Sequence, residues 1–281
     1  SWVMLLLGYS YVASVLPVWT LLQPRDYINS LQLLSALGLV VLGIIAACLF
    51  GGAALTPGAE RPALEIVAPA FNFSPEGAPS IFPFLFITIA CGAISGFHCL
   101  VSSGTSSKQL KCETDAQLIG YGSMLTEGFL AVLVILACIS GLGLGTGTGE
   151  SFISGSAAFE ARYASWDAAK GLGAKVGAFV EGSANFLKSL GLPAKFSIAL
   201  MGVFVASFAA TTLDTACRLQ RYVVQELAAT LAPRHRVNGK RTGEFVNGNP
   251  LFWLTNRHAA TLFAITIAFF IAQLPGGEGK A

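Results

Sequence analysis

Charge is what this sequence has least of. Only 11% of its 281 residues are Asp, Glu, Lys or Arg, against about 25% in an ordinary soluble domain. So few ionised groups cannot cover a water-exposed surface, and a freely soluble globule is excluded. The 17 basic and 15 acidic residues leave a net charge of +2, too small and too localised for a nucleic-acid surface. The six cysteines (Cys48, Cys91, Cys99, Cys112, Cys138 and Cys217) form no CxxC pair. Most stand in apolar segments, where isolated thiols serve as small packing residues. No HExxH, no GxSxG and no His/Cys/carboxylate cluster is present, so neither an enzyme, a metal centre nor a bound cofactor is expected. The glycine-rich run from Leu142 to Glu150 lacks Gly-Lys-Ser/Thr and follows an apolar segment, which argues against a phosphate loop. Ser1 opens directly into apolar sequence without a basic n-region or small-residue cleavage site, so the start is not a signal peptide. An internal piece of a longer chain is the expectation.

What is present is hydrophobic length. A hydrocarbon layer of about 30 Å needs about 20 apolar helical residues, and six segments supply roughly that: Ser1 to Leu22, Asn29 to Gly51, Ile81 to Val101, Ala116 to Leu142, Phe196 to Leu213, and Ala259 to Leu274. The expected fold class is therefore all-α, a polytopic membrane bundle. Pro24 and the charges of Arg25 and Asp26 are read as the stop of the first span, and Gly51-Gly52 as the stop of the second. Short loops rich in Lys and Arg stay cytoplasmic. Arg25, then Lys108 and Lys111, then the series from Arg218 to Arg257 fall in alternate loops. The loop from Gly52 to Ser80 then reads as external, and the third span runs inward.

That third span carries the main anomaly. From Gly77 to Ser107 there is no Asp, Glu, Lys or Arg, yet Gly92-Ala93-Ile94-Ser95-Gly96-Phe97-His98 interrupts the apolar run. In hydrocarbon every backbone polar group must be bonded internally, so a weakened helix at that depth belongs beside a protein-enclosed, wet cavity. Broken helices are how many secondary transporters build a substrate site.

Ionisable groups within spans are costly and therefore candidates for function. His98 could relay a proton or bond an anionic substrate, or its ring could simply be satisfied by a carbonyl. Glu127 in the fourth span could exchange a proton, or pair with Lys108 or Lys111. Ser95, Ser102, Ser103, Thr105, Ser106 and Ser107 offer oxygens around the break. Thr211 and Thr212 offer a second oxygen pair, unless they bond their own i−4 carbonyls. Asp214, Arg218, Arg221 and Gln225 share one helix face after the fifth span, and an Asp214–Arg218 pair at i, i+4 would neutralise the acid. The ion- or proton-coupling candidates are thus Glu127, Thr211, Thr212 and Asp214. Between Gly143 and Lys195 the apolar spacing predicts two short amphipathic helices, either capping the outer face or lying in the headgroup layer. Residues 215–258 read as a basic cytoplasmic or interfacial segment.

At this point the residues resemble a known family. The string from Leu22 to Tyr27, the string from Phe82 to His98, and Ile119-Gly120-Tyr121-Gly122-Ser123-Met124-Leu125 closely resemble the carbon starvation protein A family of bacterial inner-membrane proteins. The run from Leu213 to Tyr222 is similar less strictly. The resemblance implies a multi-pass transporter of the amino acid, polyamine and organocation superfamily, taking up peptides or pyruvate when carbon is scarce. Its coupling ion would be H+ rather than Na+. Members are longer, with helices on both sides, so the chain would be a central fragment whose partners are the bilayer and the remainder of the parent protein. The region from Gly143 to Lys195 departs most from the family pattern. The superfamily's inverted-repeat plan would place Gly92, Ala93, Ser95 and Gly96 at the substrate site, where His98 is added by its ionisable ring, with Thr211 and Thr212 near a cation position. A membrane sensor that binds pyruvate or peptide without concentrating it is the alternative.

Overall fold

The computed structural model describes residues 2–53, 61–72, 77–94, 96–104, 106–147, 152–166, 172–231, 234–237, 240–245 and 250–273. Ser95 and Thr105, both candidates for the site, lie outside them, as does Leu274. The elements in order are α1 (Trp2–Val15), α2 (Val18–Phe50), a π turn (Ile81–Leu85) leading into α3 (Phe86–Ala93), and α4 (Gly96–Gly104). Then come α5 (Asp115–Leu136), α6 (Ser156–Tyr163), α7 (Leu172–Ser189) and α8 (Ala194–Leu231). A two-stranded antiparallel hairpin, β1 (Arg234–Val237) and β2 (Lys240–Phe245), precedes α9 (Pro250–Trp253) and α10 (Arg257–Gln273). The fold is helical as expected, with the hairpin as an exception in the basic segment.

Among the described residues, three helical stretches are long and apolar enough to cross a membrane: Trp19–Phe50, Asp115–Leu144 and Ala194–Leu231. The other three expected spans fall on shorter apolar helices, Val3–Val15, Ile81–Ala90 and Arg257–Gln273. The largest correction concerns the first. Its helix ends at Val15, and the break falls at Leu16-Pro17, while Pro24 lies inside α2. Pro17 disfavours helical geometry at the residue before it and presets its own φ for the start of the next helix. Pro24 forfeits one backbone bond, but tertiary contacts formed by its neighbours Leu22 and Arg25 hold that turn in place. Arg25 is therefore a helix residue rather than the loop charge the topology reading required.

The residues group into two compact units. One contains Ser30–Gly96 and Ser107–Ser207. Its centre is the seam between α7 and the end of α5, where the helix loosens into a π turn, Ala137–Gly141, then a tight turn, Leu142–Leu144. Such turns leave carbonyls without their usual i+4 donors. Asn185 of α7 supplies the missing donors: its Nδ2 donates to the carbonyls of Gly141 and Gly145, both at 2.8 Å. The Val67 amide donates to Ile139 at 2.9 Å. Phe186, Leu187 and Ala184 of α7 are buried with Leu133, Ala137 and Leu142. α6 and α7 occupy the predicted amphipathic region, but α7 buries its apolar face against protein rather than merely against headgroups. An ion pair between Arg162 and Glu181 ties the two helices together.

The other unit contains Ser1–Asn29, Phe97–Ser106 and Phe208–Glu278. Here α1 packs against α10, and the Tyr11 hydroxyl meets His258 Nδ1 at 2.9 Å. The α8 helix runs without a break to Leu231, as the absence of a breaker after Leu213 suggests.

Candidate functional site

The interruption in the third span is real. α3 ends at Ala93, Ile94 leaves helical geometry at φ −130° and ψ 61°, and α4 resumes at Gly96. Gly92 and Ala93 stand in the last turn of α3, and His98 in the first turn of α4. All are exposed, as is Gly96. A Cβ added at Gly92 or Gly96 would meet nothing within 4 Å. Packing among the described residues therefore does not demand glycine at either position. The two sides of the break belong to different units, with Gly92, Ala93 and Gly96 in one and His98 in the other.

Among the coupling candidates, Glu127 is exposed on α5 and belongs to the first unit. Thr212 donates to the Phe208 carbonyl at 3.1 Å and is exposed, the local back-bond anticipated for such threonines. Thr211 donates to the same carbonyl at 3.0 Å but also accepts from Asn29 Nδ2 at 3.3 Å, so it joins α8 to α2.

Asp214 is the most unusual of the set. It lies midway along α8 and is 0% exposed, in company with Arg218 at 1% and Arg221 at 5%. The spacing i, i+4, i+7 puts the three on one face, as the sequence indicates. The expected Asp214–Arg218 pair does not form. Asp214 Oδ2 instead accepts from Arg25 Nη1 in a tight ion pair and from the Tyr9 hydroxyl at 3.4 Å, and Thr215 donates to Oδ1 at 3.3 Å. Arg25 also donates to Tyr9 Oη at 3.3 Å and, through Nη2, to Asp26 at 3.0 Å. Arg218 gives its Nη2 to the Ala13 carbonyl of α1, and Arg221 lies 4.7 Å from the centre of the Tyr222 ring. The reason is geometric. An i, i+4 pair on a helix is worth a few tenths of a kcal/mol, whereas a forked guanidinium from a facing helix can satisfy a buried carboxylate and remain hydrogen-bonded elsewhere.

Three arginines and one carboxylate therefore meet where α1, α2 and α8 come together within this unit. The buried Nε atoms of Arg25, Arg218 and Arg221 have no hydrogen-bond partner among the described atoms. Burying charges is costly, which makes this cluster the leading candidate for a functional site. Sequence reading missed Tyr9, Arg25 and Asn29 as members. The available signal was that a carboxylate inside an apolar helix requires a base, and Arg25 is one of few. Elsewhere, burial and the neighbouring Cys138 thiol push the Tyr163 phenol above its ordinary range. Burial pulls the Lys188 ammonium below its own, with Glu181 opposing.

Comparison with known proteins bears on the family of the chain. The family model described as "Carbon starvation protein CstA" matches residues 1–256. A protein of Mycobacterium tuberculosis (strain ATCC 25618 / H37Rv) named "Peptide transporter CstA" is 48% identical over 132 residues, which is 47% of this chain and 16% of that protein. One of Helicobacter pylori (strain ATCC 700392 / 26695) with the same name is 44% identical over 135 residues, covering 47% of this chain and 18% of that protein. An Escherichia coli (strain K12) protein named "Pyruvate/proton symporter BtsT" is 45% identical over 132 residues, covering 47% of this chain and 17% of that protein. The matched stretches thus span less than a fifth of these relatives. Their names are those of transporters, and none supports the sensor reading. No solved structure matches. A family match over nearly the whole chain, with the broken third span and the buried Arg25–Asp214 pair inside it, leads to one assignment: the chain belongs to the carbon starvation protein CstA family.

Proposed function

We propose that the chain is part of a secondary active transporter that takes up a small anionic or zwitterionic nutrient, pyruvate or a short peptide, when carbon is scarce. The coupling ion is H+, and the protein is a multi-pass component of the bacterial inner membrane. The single observation that carries the reading is the fully buried Asp214 carboxylate, ion-paired to Arg25 between two helices that are long and apolar enough to cross a membrane. An acid in that setting can hold a proton in one conformation and release it in another, which a coupled carrier requires. The names of the relatives, a peptide transporter and a pyruvate/proton symporter, support the same class.

In this reading Gly92, Ala93, Ser95, Gly96 and His98 line the substrate site at the helix break. The positive end of the helix dipole at the start of α4 favours a substrate carboxylate there. Asp214, with Glu127, Thr211 and Thr212, serves ion coupling. The six apolar segments act as spans, three of them short, and the third to fifth, with the outer helical region between the fourth and fifth, follow the order in which the second half of an inverted repeat begins. Residues 143–195 form the external helical region, and residues 215–258 the cytoplasmic basic segment.

The test is uptake of labelled pyruvate and of dipeptides into proteoliposomes carrying the protein, with and without an inward proton gradient, together with counterflow at equal pH. Gradient-stimulated accumulation of one substrate class is expected, and Gly96→Ala and His98→Ala should reduce it with the protein still in the membrane. Absence of both accumulation and counterflow overturns the transporter reading. Unchanged uptake in both variants removes the substrate-site assignment.

A further inference from the structure

Arg25 is placed between two carboxylates of opposite character. Through Nη1 it holds Asp214, which is 0% exposed, and through Nη2 it holds Asp26, whose side chain is 49% exposed. The Arg25 side chain is 19% exposed, so it stands between the buried acid and solvent. Its planar fork allows both bonds at once, which a lysine ammonium on a single point could not reproduce with the same geometry. Tyr9 completes the arrangement. Its hydroxyl lies 3.4 Å from Asp214 Oδ2 and 3.3 Å from Arg25 Nη1, and the residue is only partly buried.

We propose that Arg25 is a two-position counter-ion, held by Asp214 while that carboxylate is ionised and passed to Asp26 when Asp214 takes up a proton. The proposal rests on the coupling role given to Asp214 above, and it assigns positioning roles to Arg25, Asp26 and Tyr9. The groups facing Asp214 are Tyr9 from α1, Arg25 from α2, and Thr215 on α8 itself, with Cys217, Arg218 and Arg221 nearby on that helix. Arg218 gives its Nη2 to the Ala13 carbonyl, which leaves Arg25 as the cation that neutralises the carboxylate directly.

The step balances simply. A solvent proton joins Tyr9 Oη as the hydroxyl's own proton moves to Asp214 Oδ2, giving a neutral carboxylic acid and an unchanged tyrosine. Asp214 then offers Arg25 only a neutral acceptor, whereas Asp26 still offers a charge. A charge-assisted hydrogen bond is roughly twice as strong as a neutral one, so the guanidinium moves outward. The link between α2 and α8 through this pair is thereby released, and deprotonation restores it.

The pH dependence of uptake by the full protein in proteoliposomes tests this. Asp26→Asn removes the outer position, so Arg25 stays on Asp214 and favours its ionised form. The pH midpoint of uptake should then fall by about one unit, a tenfold higher proton concentration. Arg25→Gln removes the counter-charge from a buried carboxylate and should move the midpoint upward or flatten the profile. A purely structural role would lower the maximal rate and leave the midpoint in place. An Asp26→Asn profile superimposable on the wild type overturns the proposal. Because Asp26 is at the surface, that variant remains informative even if Arg25→Gln does not fold. Counterflow at equal pH separates the two levels: its absence in the wild type sinks the transporter reading, while coupled uptake with an unmoved Asp26→Asn midpoint sinks only the counter-ion switch.

Discussion

Gly182→Ala gives the sharpest test of the packing in the α7 seam. A Cβ built on Gly182 would stand 2.0 Å from the Ala137 carbonyl oxygen and 2.7 Å from its carbon. The reciprocal position is as tight: a Cβ at Gly141 would lie 2.5 Å from the Gly182 oxygen. Both obstacles are backbone, so no side chain can swing away, and α7 must retreat by about 1 Å to restore ordinary contact. Over-packing of this kind costs about 1–3 kcal/mol. The retreat also stretches the two 2.8 Å bonds from Asn185, three residues along the same helix, at about 1 kcal/mol each. The expected total is on the order of 3–5 kcal/mol. Gly177→Ala is the internal control. Its nearest foreign atom is Arg162 Nη1 at 3.9 Å, so the substitution adds only helix propensity, a gain of up to about 1 kcal/mol. Thermal unfolding in a mild detergent, followed by tryptophan fluorescence, should lower the apparent midpoint of Gly182→Ala by about 6 °C or more, at about 2–4 °C per kcal/mol. Gly177→Ala should match or exceed the wild type. A Gly182→Ala midpoint within about 1 °C of the wild type would refute the close backbone approach.

Asn185→Leu should destabilise the protein by about 2–4 kcal/mol, since it leaves two buried carbonyls without donors; the same melting assay reads it. Thr211→Val, which breaks the 3.3 Å bond to Asn29, should cost about 1 kcal/mol, whereas Thr212→Val, exposed and bonded only to its own helix, should stay within about 0.5 kcal/mol of the wild type. Equal effects from the two threonines would contradict the α2–α8 link. The raised Tyr163 phenol makes an alkaline prediction. Above about pH 10 the unfolded chain loses this proton while the folded chain keeps it. Stability should therefore fall as pH rises through that value, and Tyr163→Phe should remove this component from a melting series between pH 9 and 11.

Much of the architecture was legible because hydrocarbon imposes simple rules. Charge-free length marked the apolar helices, Gly51 closed α2 at the expected place with φ 76°, and the glycine pair at 92 and 96 marked a true helix break. The two helices between Gly143 and Lys195 followed from apolar periodicity alone. The failures share a cause. Pro24 carries a strong local stop signal, but contacts made by neighbouring Leu22 and Arg25 keep its turn helical. Asp214 has a local partner four residues away in Arg218, yet its bond goes to a residue 189 positions distant in sequence. Periodicity reports faces and lengths; it does not report which face meets which. The hairpin from Arg234 to Phe245 was likewise invisible, because its short basic strands lack the apolar alternation that identifies a strand.

The length of α8 sets the depth of its charges. Its 38 residues make a rod of about 57 Å, and a tilt of 40° still leaves it about 44 Å tall. The hydrocarbon layer is about 30 Å thick, so the helix cannot be wholly immersed. Its uncharged stretch from Phe196 to Leu213 nearly fills that thickness and ends beside Asp214. With that stretch in the hydrocarbon, as the proposed function has it, the buried carboxylate would stand at the edge of the oily layer rather than at its centre. In the proposed carrier a proton would then reach it without crossing hydrocarbon, so that access, rather than affinity alone, would determine when the pair opens.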